Sequence, residues 1–183
     1  CHKTEDHLIG GRAMSVSVDD ANQIYCTNCH SEDLHEDERI NAHIENLACQ
    51  TCHIPAGAVR EATKLEWYWS DAGQDREDVL HEYAKIKGSF VYEESFTPEY
   101  YWYNGVVDYR YLLGDVIDPN VPTAFNPPAG DINDPTAKIW PFKVHRGDQP
   151  YDTVNNYFLQ PHTTEEDGYW TTFDWQSALE LGS

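Results

Sequence analysis

Two five-residue stretches carry the chemistry of this sequence. Cys26-Thr27-Asn28-Cys29-His30 and Cys49-Gln50-Thr51-Cys52-His53 are both C-x-x-C-H, the attachment signature of c-type haem. The spacing has a geometric reason. On a helix, residues three and four apart share a face. Two thiols so placed reach the two vinyl groups on one porphyrin edge, and the next histidine projects toward the iron. Cys26, Cys29, Cys49 and Cys52 are thus the expected attachment residues, with His30 and His53 as proximal ligands.

Cys1-His2 reads as the last two residues of a third motif, cut in the middle. The odd cysteine count supports this, since it leaves Cys1 without a partner. On that reading Cys1 holds a third haem, His2 is its proximal ligand, and the chain is a piece of something longer. A lipidated N-terminal cysteine is the other reading. Six histidines remain as candidate distal ligands: His7, His35, His43, His81, His145 and His162. His7 follows the cut motif by five residues, just as His35 follows His30. His43 lies four residues before Leu47, on the apolar stripe of a predicted helix. Met14 is the one methionine, so bis-His haem of low potential is expected. Surplus histidines would suit haems completed by a neighbouring subunit.

The set C-x2-C-x19-C-x2-C also falls within zinc-ribbon spacing. A ribbon with four thiolate ligands, however, has no use for a histidine after each pair. A zinc-binding interaction module therefore remains a third reading. A redox dithiol lacks the βαβ context it would need.

These motifs need elements to position them. Asp19 and Asp20 are helix-start residues ahead of a run to His30. A second helix is expected over about Arg39 to His53, with Ile40, Ile44 and Leu47 on one stripe and Pro55 beyond its end. A third is expected near 76–87, stopped by Gly88, and a short one over Trp175 to Leu181. Asn104-Gly105, between Tyr100–Tyr103 and Val106–Tyr111, predicts a β-hairpin near 100–111. Five prolines within 118–135 predict an extended loop. The composition divides near residue 60. Residues 1–59 hold all the cysteines and six of the nine histidines, and residues 60–183 hold nearly all the aromatics. The expected fold is mainly α and irregular, with a haem-organised segment at 1–59 and a loop-rich, aromatic-rich wrapping segment at 60–183.

Composition agrees. The 183 residues include 32 acids against 12 Lys and Arg, a net charge of −20. Such a chain is repelled by nucleic acid. No apolar run approaches the roughly 18–20 residues of a membrane span. Leu, Ile, Val and Phe make up only about a fifth of the chain, near the limit at which chains stay disordered. Yet 6 Trp, 12 Tyr and 6 Phe argue for a folded protein. Haem would supply the missing apolar core, with the aromatics packed around it.

Tyr25–His30, Cys49–Pro55 and above all Lys138-Ile139-Trp140-Pro141-Phe142-Lys143-Val144-His145-Arg146-Gly147-Asp148-Gln149-Pro150-Tyr151-Asp152 resemble the octahaem tetrathionate reductase family of multihaem cytochromes c. Lys87–Val91 and Asn104–Asp108 fit the same pattern. The resemblance implies a periplasmic or extracellular protein with eight c-haems, most of them bis-His. It also implies a link to reduction of tetrathionate, nitrite or hydroxylamine at a haem attached through C-x-x-C-K. This sequence contains no C-x-x-C-K. The expectation is therefore an electron-transfer portion of such a protein, with other multihaem cytochromes or further copies of itself, up to a filament, as partners. The runner-up is the haem-relay part of a reductase whose catalytic haem lies elsewhere.

Overall fold

The computed structural model describes residues 3–5, 8–10, 26–31 and 34–182. The chain forms two compact units, each discontinuous in sequence. One comprises residues 1–55, 98–110 and 124–142, the other residues 56–97, 111–123 and 143–183. The cysteine-bearing unit thus draws two stretches from beyond residue 60.

The first unit begins with a ribbon of β1 (Lys3–Glu5) and β2 (Leu8–Gly10). Cys26–Asn28 form one turn of 3-10 helix, followed by a turn at Cys29 and His30; the part of the expected helix from Asp19 to residue 25 lies outside the described residues. Helix α1 (Glu38–His43) starts at Asp37, whose carboxylate accepts the Arg39 N–H at 2.8 Å, an N-cap. Helix α2 covers Cys49–His53. The expected continuous helix over 39–53 is therefore broken. At the break, Ala48 is extended (φ −68°, ψ 147°) and Leu47 bridges to Ile139. The Ile139 N–H donates to the Asn46 carbonyl at 2.8 Å, and the Ala48 N–H donates to the Ile139 carbonyl at 3.0 Å. These strand-type bonds replace helical ones.

Ile139 belongs to β7 (Lys138–Phe142), which pairs antiparallel with β6 (Glu99–Tyr103). The hairpin expected across Asn104-Gly105 does not form. Tyr103 instead meets Trp140 and Phe142 edge-on, at centroid distances of 5.9 and 5.5 Å, and such ring pairs stabilise by about 0.5–1.5 kcal/mol beyond their area. Residues after Gly105 bond across to 127–129.

In the second unit a four-stranded sheet runs β4 (Tyr83–Ala84), β5 (Gly88–Glu93), β3 (Thr63–Tyr68), β8 (Arg146–Asp148), with β3 and β8 parallel. The β3–β5 register slips between Lys64 and Glu66, a bulge at Leu65. Gly88 has φ +89°, and a Cβ there would sit 2.0 Å from the Tyr68 carbonyl oxygen. The helix expected near 76–87 is replaced by a tight return into β4. Its cause is local. The Asp78 carboxylate accepts the Lys85 N–H at 2.7 Å, Val79 bridges to Tyr83, and His81 takes φ +68°.

Helices α3 (Tyr169–Thr172) and α4 (Trp175–Gly182) close the unit, the latter where the sequence predicts it. Tyr169 and Ala178 are fully buried there, packed with Trp69, Trp170, Phe173 and Trp175. Among the described residues strands outweigh helices, so the fold is not mainly α. Its buried apolar residues are alanines, tyrosines and Ile117, whereas Leu80, Leu112, Leu113 and Val154 stand exposed.

Candidate haem-attachment site

Helix α2 is the C-x-x-C-H motif itself. Five residues do not hold a helix in isolation, so outside contacts must fix it. Ile139 supplies them. Its carbonyl accepts both the Ala48 N–H and, at 2.6 Å, the hydroxyl of Thr51. One turn earlier, Lys138 Nζ donates to the Ile44 carbonyl at 2.5 Å. The motif is thus held at a variable position of its own signature by the strand that lies within the 138–152 block.

The thiols of Cys26, Cys29, Cys49 and Cys52 are all free, and all but Cys49 are exposed. Cys26 and Cys49 are neighbours. Partial burial raises the Cys26 thiol above its ordinary value, and the neighbouring Cys49 raises it further. The leading cysteines of the two motifs therefore stand side by side. A four-thiolate zinc site would gather all four sulfurs. Among the described residues the clustered metal-ligating side chains are instead His162, Glu165 and Asp167, within 4.8 Å of one another.

His53 ends α2 and is exposed. Its ring faces that of half-buried His35, with centroids 6.1 Å apart and planes inclined by 25°. A metal bound at an imidazole nitrogen lies about 3 Å from the ring centre, given a metal–nitrogen bond of about 2 Å. Two rings at the separation of His35 and His53 would leave room for one metal ion, which both could hold. Asn41 of α1 orients His35. Its Oδ1 accepts the His35 backbone N–H at 3.1 Å, and its Nδ2 donates to the His35 carbonyl at 2.8 Å. Both partners are backbone groups of fixed polarity, so the amide orientation is determined. The same Oδ1 lies 3.1 Å from His35 Nδ1, so Nδ1 carries the proton and Nε2 keeps a free lone pair for a metal. Two free thiols and an imidazole per motif, with an oriented second imidazole, fit haem c.

Other expected residues are placed differently. His30 and His43 are exposed in the first unit, and His145 is exposed in the second. His81 stacks on Tyr92 at 4.4 Å. His162 Nε2 lies 3.2 Å from Asp167 Oδ1. Cys1, His2 and His7 lie outside the described residues. The sequence gives no sign of the roles of Asn41, Thr51 and Ile139; only Thr51, inside the motif, stands where a search would begin.

A free-thiol C-x-x-C-H helix with an oriented imidazole opposite its histidine is the equipment of a c-type cytochrome. The chain belongs to the family described as bacterial cytochrome c, which matches residues 64–183 and in which haem c is covalently bound. Among solved structures it is similar to an octahaem cytochrome c from Shewanella oneidensis, at 48% identity and a TM-score of 0.89, over all of this chain and 43% of that one. It thus spans less than half the length of that relative. The resemblance to the octahaem tetrathionate reductase family, drawn from the motifs and the 138–152 block, holds. No curated protein matches the chain. No helix among the described residues is long and apolar enough to cross a membrane.

Proposed function

We propose that this chain is the electron-transfer segment of a larger multihaem cytochrome, in the periplasm or outside the cell. The observation that carries the reading is the placement of both C-x-x-C-H motifs in one compact unit, with Cys26 neighbouring Cys49, which supports attachment edges of two haems lying next to each other. Cys26 and Cys29 hold one group and Cys49 and Cys52 the other, with His30 and His53 as proximal ligands. His35 is the distal partner of His53. Bound there, haem c supplies a one-electron iron centre, and two imidazoles on that iron leave no position for a substrate. The test is haem stoichiometry by pyridine haemochrome together with electron paramagnetic resonance. At least two haems per chain, low-spin and magnetically coupled, are expected. A colourless protein, or isolated high-spin haem, refutes the proposal.

A second reading makes the chain the haem relay of a reductase of small sulfur or nitrogen compounds. It is favoured by the 43% coverage of the octahaem relative, which leaves room for a catalytic haem elsewhere. A C-x-x-C-K motif in the complete protein supports it; C-x-x-C-H motifs alone favour a conduit.

A further inference from the structure

The rings of the second unit form one connected series. Trp67 and Trp69 lie two residues apart at the end of β3, so they project to the same side, and they stack with centroids 5.2 Å apart. Trp69 meets Trp175 of α4 edge-on at 5.8 Å, and Trp175 stacks on the buried Tyr169 of α3 at 3.9 Å. Packing alone does not ask for indoles. Aliphatic side chains fill a core without a polar atom to satisfy, yet here Leu80, Leu112 and Leu113 stand exposed. Tryptophan and tyrosine, unlike the aliphatic residues, can give up one electron. Between rings in contact that electron moves far faster than between rings held apart.

Two further contacts give the series a direction and an end. Lys64 Nζ lies 4.6 Å from the centre of the Trp67 ring. An ammonium so close disfavours positive charge on that indole, so an electron vacancy settles on Trp69 or Trp175 instead. The Trp67 N–H donates to the Lys87 carbonyl at 2.7 Å, and a carbonyl is too weak a base to take that proton. Glu66 and Tyr68 alternate with the tryptophans and project to the other side of the strand. There Tyr68 donates its hydroxyl to the Glu66 carboxylate. That bond raises the Tyr68 phenol above its ordinary value, so the proton stays in place until an electron leaves. Tyr68 sits between Trp67 and Trp69 in the chain, with a base already on its hydroxyl.

We propose that Trp67, Trp69 and Trp175 form a relay that carries one oxidising equivalent through the second unit and delivers it to Tyr68. An outer-sphere one-electron oxidant at the surface takes an electron from an indole of the series and is itself reduced by one electron. The indole becomes a radical cation, and electrons pass from ring to ring until Tyr68 supplies one. The Tyr68 O–H bond then breaks and its proton moves to the Glu66 carboxylate. A neutral tyrosyl radical and a protonated Glu66 remain, and every indole is restored. The net change is one electron from Tyr68 to the oxidant and one proton from Tyr68 to Glu66. A net charge of −20 draws a cationic oxidant to the chain. The relay uses no haem and is independent of the ligand assignments above.

The test uses ruthenium(III) tris-bipyridine, a cationic one-electron oxidant formed by a light flash. The holoprotein is first oxidised with ferricyanide, so that no haem iron supplies the electron. Samples frozen at set times after the flash are read by electron paramagnetic resonance, and ring-deuterated tyrosine separates tyrosyl from tryptophanyl signals. In the unaltered protein a tryptophanyl signal gives way to a tyrosyl one. Tyr68→Phe abolishes that rise and prolongs the tryptophanyl signal. Glu66→Gln keeps an acceptor for the hydroxyl but no base, and slows the rise about a hundredfold or more. Trp69→Phe keeps a ring in place and lowers the tyrosyl yield. Circular dichroism checks the fold of each variant, and Tyr68→Phe, which removes one oxygen atom, decides alone if Trp69→Phe does not fold. A tyrosyl yield unchanged in Tyr68→Phe, a rate unchanged in Glu66→Gln, or a yield unchanged in folded Trp69→Phe overturns the proposal.

Discussion

Replacing Asn41 by Leu tests the orientation of His35 without touching either candidate ligand. The side chains share the same branched skeleton of four heavy atoms, so the change removes polarity and leaves no cavity. It deletes three contacts: Oδ1 to the His35 N–H at 3.1 Å, Oδ1 to Nδ1 at 3.1 Å, and Nδ2 to the His35 carbonyl at 2.8 Å. At about 0.5–1.5 kcal/mol each, the loop 35–41 loses roughly 1.5–4.5 kcal/mol of restraint. Loss of such an orienting partner typically weakens a metal–histidine site by about 10–100-fold, or about 1.4–2.8 kcal/mol. The two ranges overlap, so the local hydrogen bonds suffice to account for the expected effect. The assay is carbon monoxide binding to the reduced holoprotein, which requires an axial imidazole to leave. One haem is expected to bind about 10–100 times faster, while the others are unchanged. His35→Ala is the limiting case and makes that haem high-spin. If His35→Ala leaves every haem low-spin, His35 is not an axial ligand. If only Asn41→Leu is silent, the orienting role fails and the ligand stands.

Further outcomes follow from other contacts. Thr51→Val keeps the shape at the α2 clamp and removes the bond to the Ile139 carbonyl; about 1 kcal/mol of stability should go, measured by chemical denaturation of the holoprotein. Gly88→Ala places a methyl against the Tyr68 carbonyl at positive φ and should cost at least about 2–3 kcal/mol, seen as a lower thermal midpoint or loss of soluble protein. Acid should loosen the turns held by Asp118, Asp134 and Asp152. Their carboxyls lie below the usual range because Asn120, Thr136 with Asn104, and Asn155 donate to them. A depressed folded value means the stabilisation is complete above the unfolded value near 3.8 and is lost as pH falls through the folded one. Unfolding followed by circular dichroism from pH 5 to 2 should show this, and Asp134→Asn should make the acid limb shallower.

The haem motifs were legible because five adjacent residues encode them completely. What positions them was not. Ile40, Ile44 and Leu47 have helical spacing, yet Leu47 and Ala48 leave the helix for Ile139, far along the chain. Asn104-Gly105 is a strong local turn signal, yet Asn104 Nδ2 donates to Asp134 Oδ2 at 2.8 Å and β6 takes its partner from 138–142. Near residue 80 the apolar spacing was outweighed by one carboxylate, Asp78, and a left-handed His81. In each case a distant pairing or a single side-chain bond displaced the local propensity. The terminal helix at Trp175 was predicted correctly because its partners, Tyr169 and Trp69, reward the same apolar face that its spacing shows. His35 was singled out by its place between the motifs, but Asn41, which orients it, left no mark in the pattern.

The clamp on α2 also sets an order of events. Thr51 is 88 residues from Ile139, and Ile44 is 94 from Lys138. Contacts so far apart form late, since the long intervening loop must close first. Until Lys138–Phe142 has emerged and docked, the sequence Cys49–His53 has no partner able to keep it helical. Its thiols therefore spend the early life of the chain on flexible polypeptide. Docking of β7 then fixes the segment, so the same strand that shapes the finished helix also times its closing.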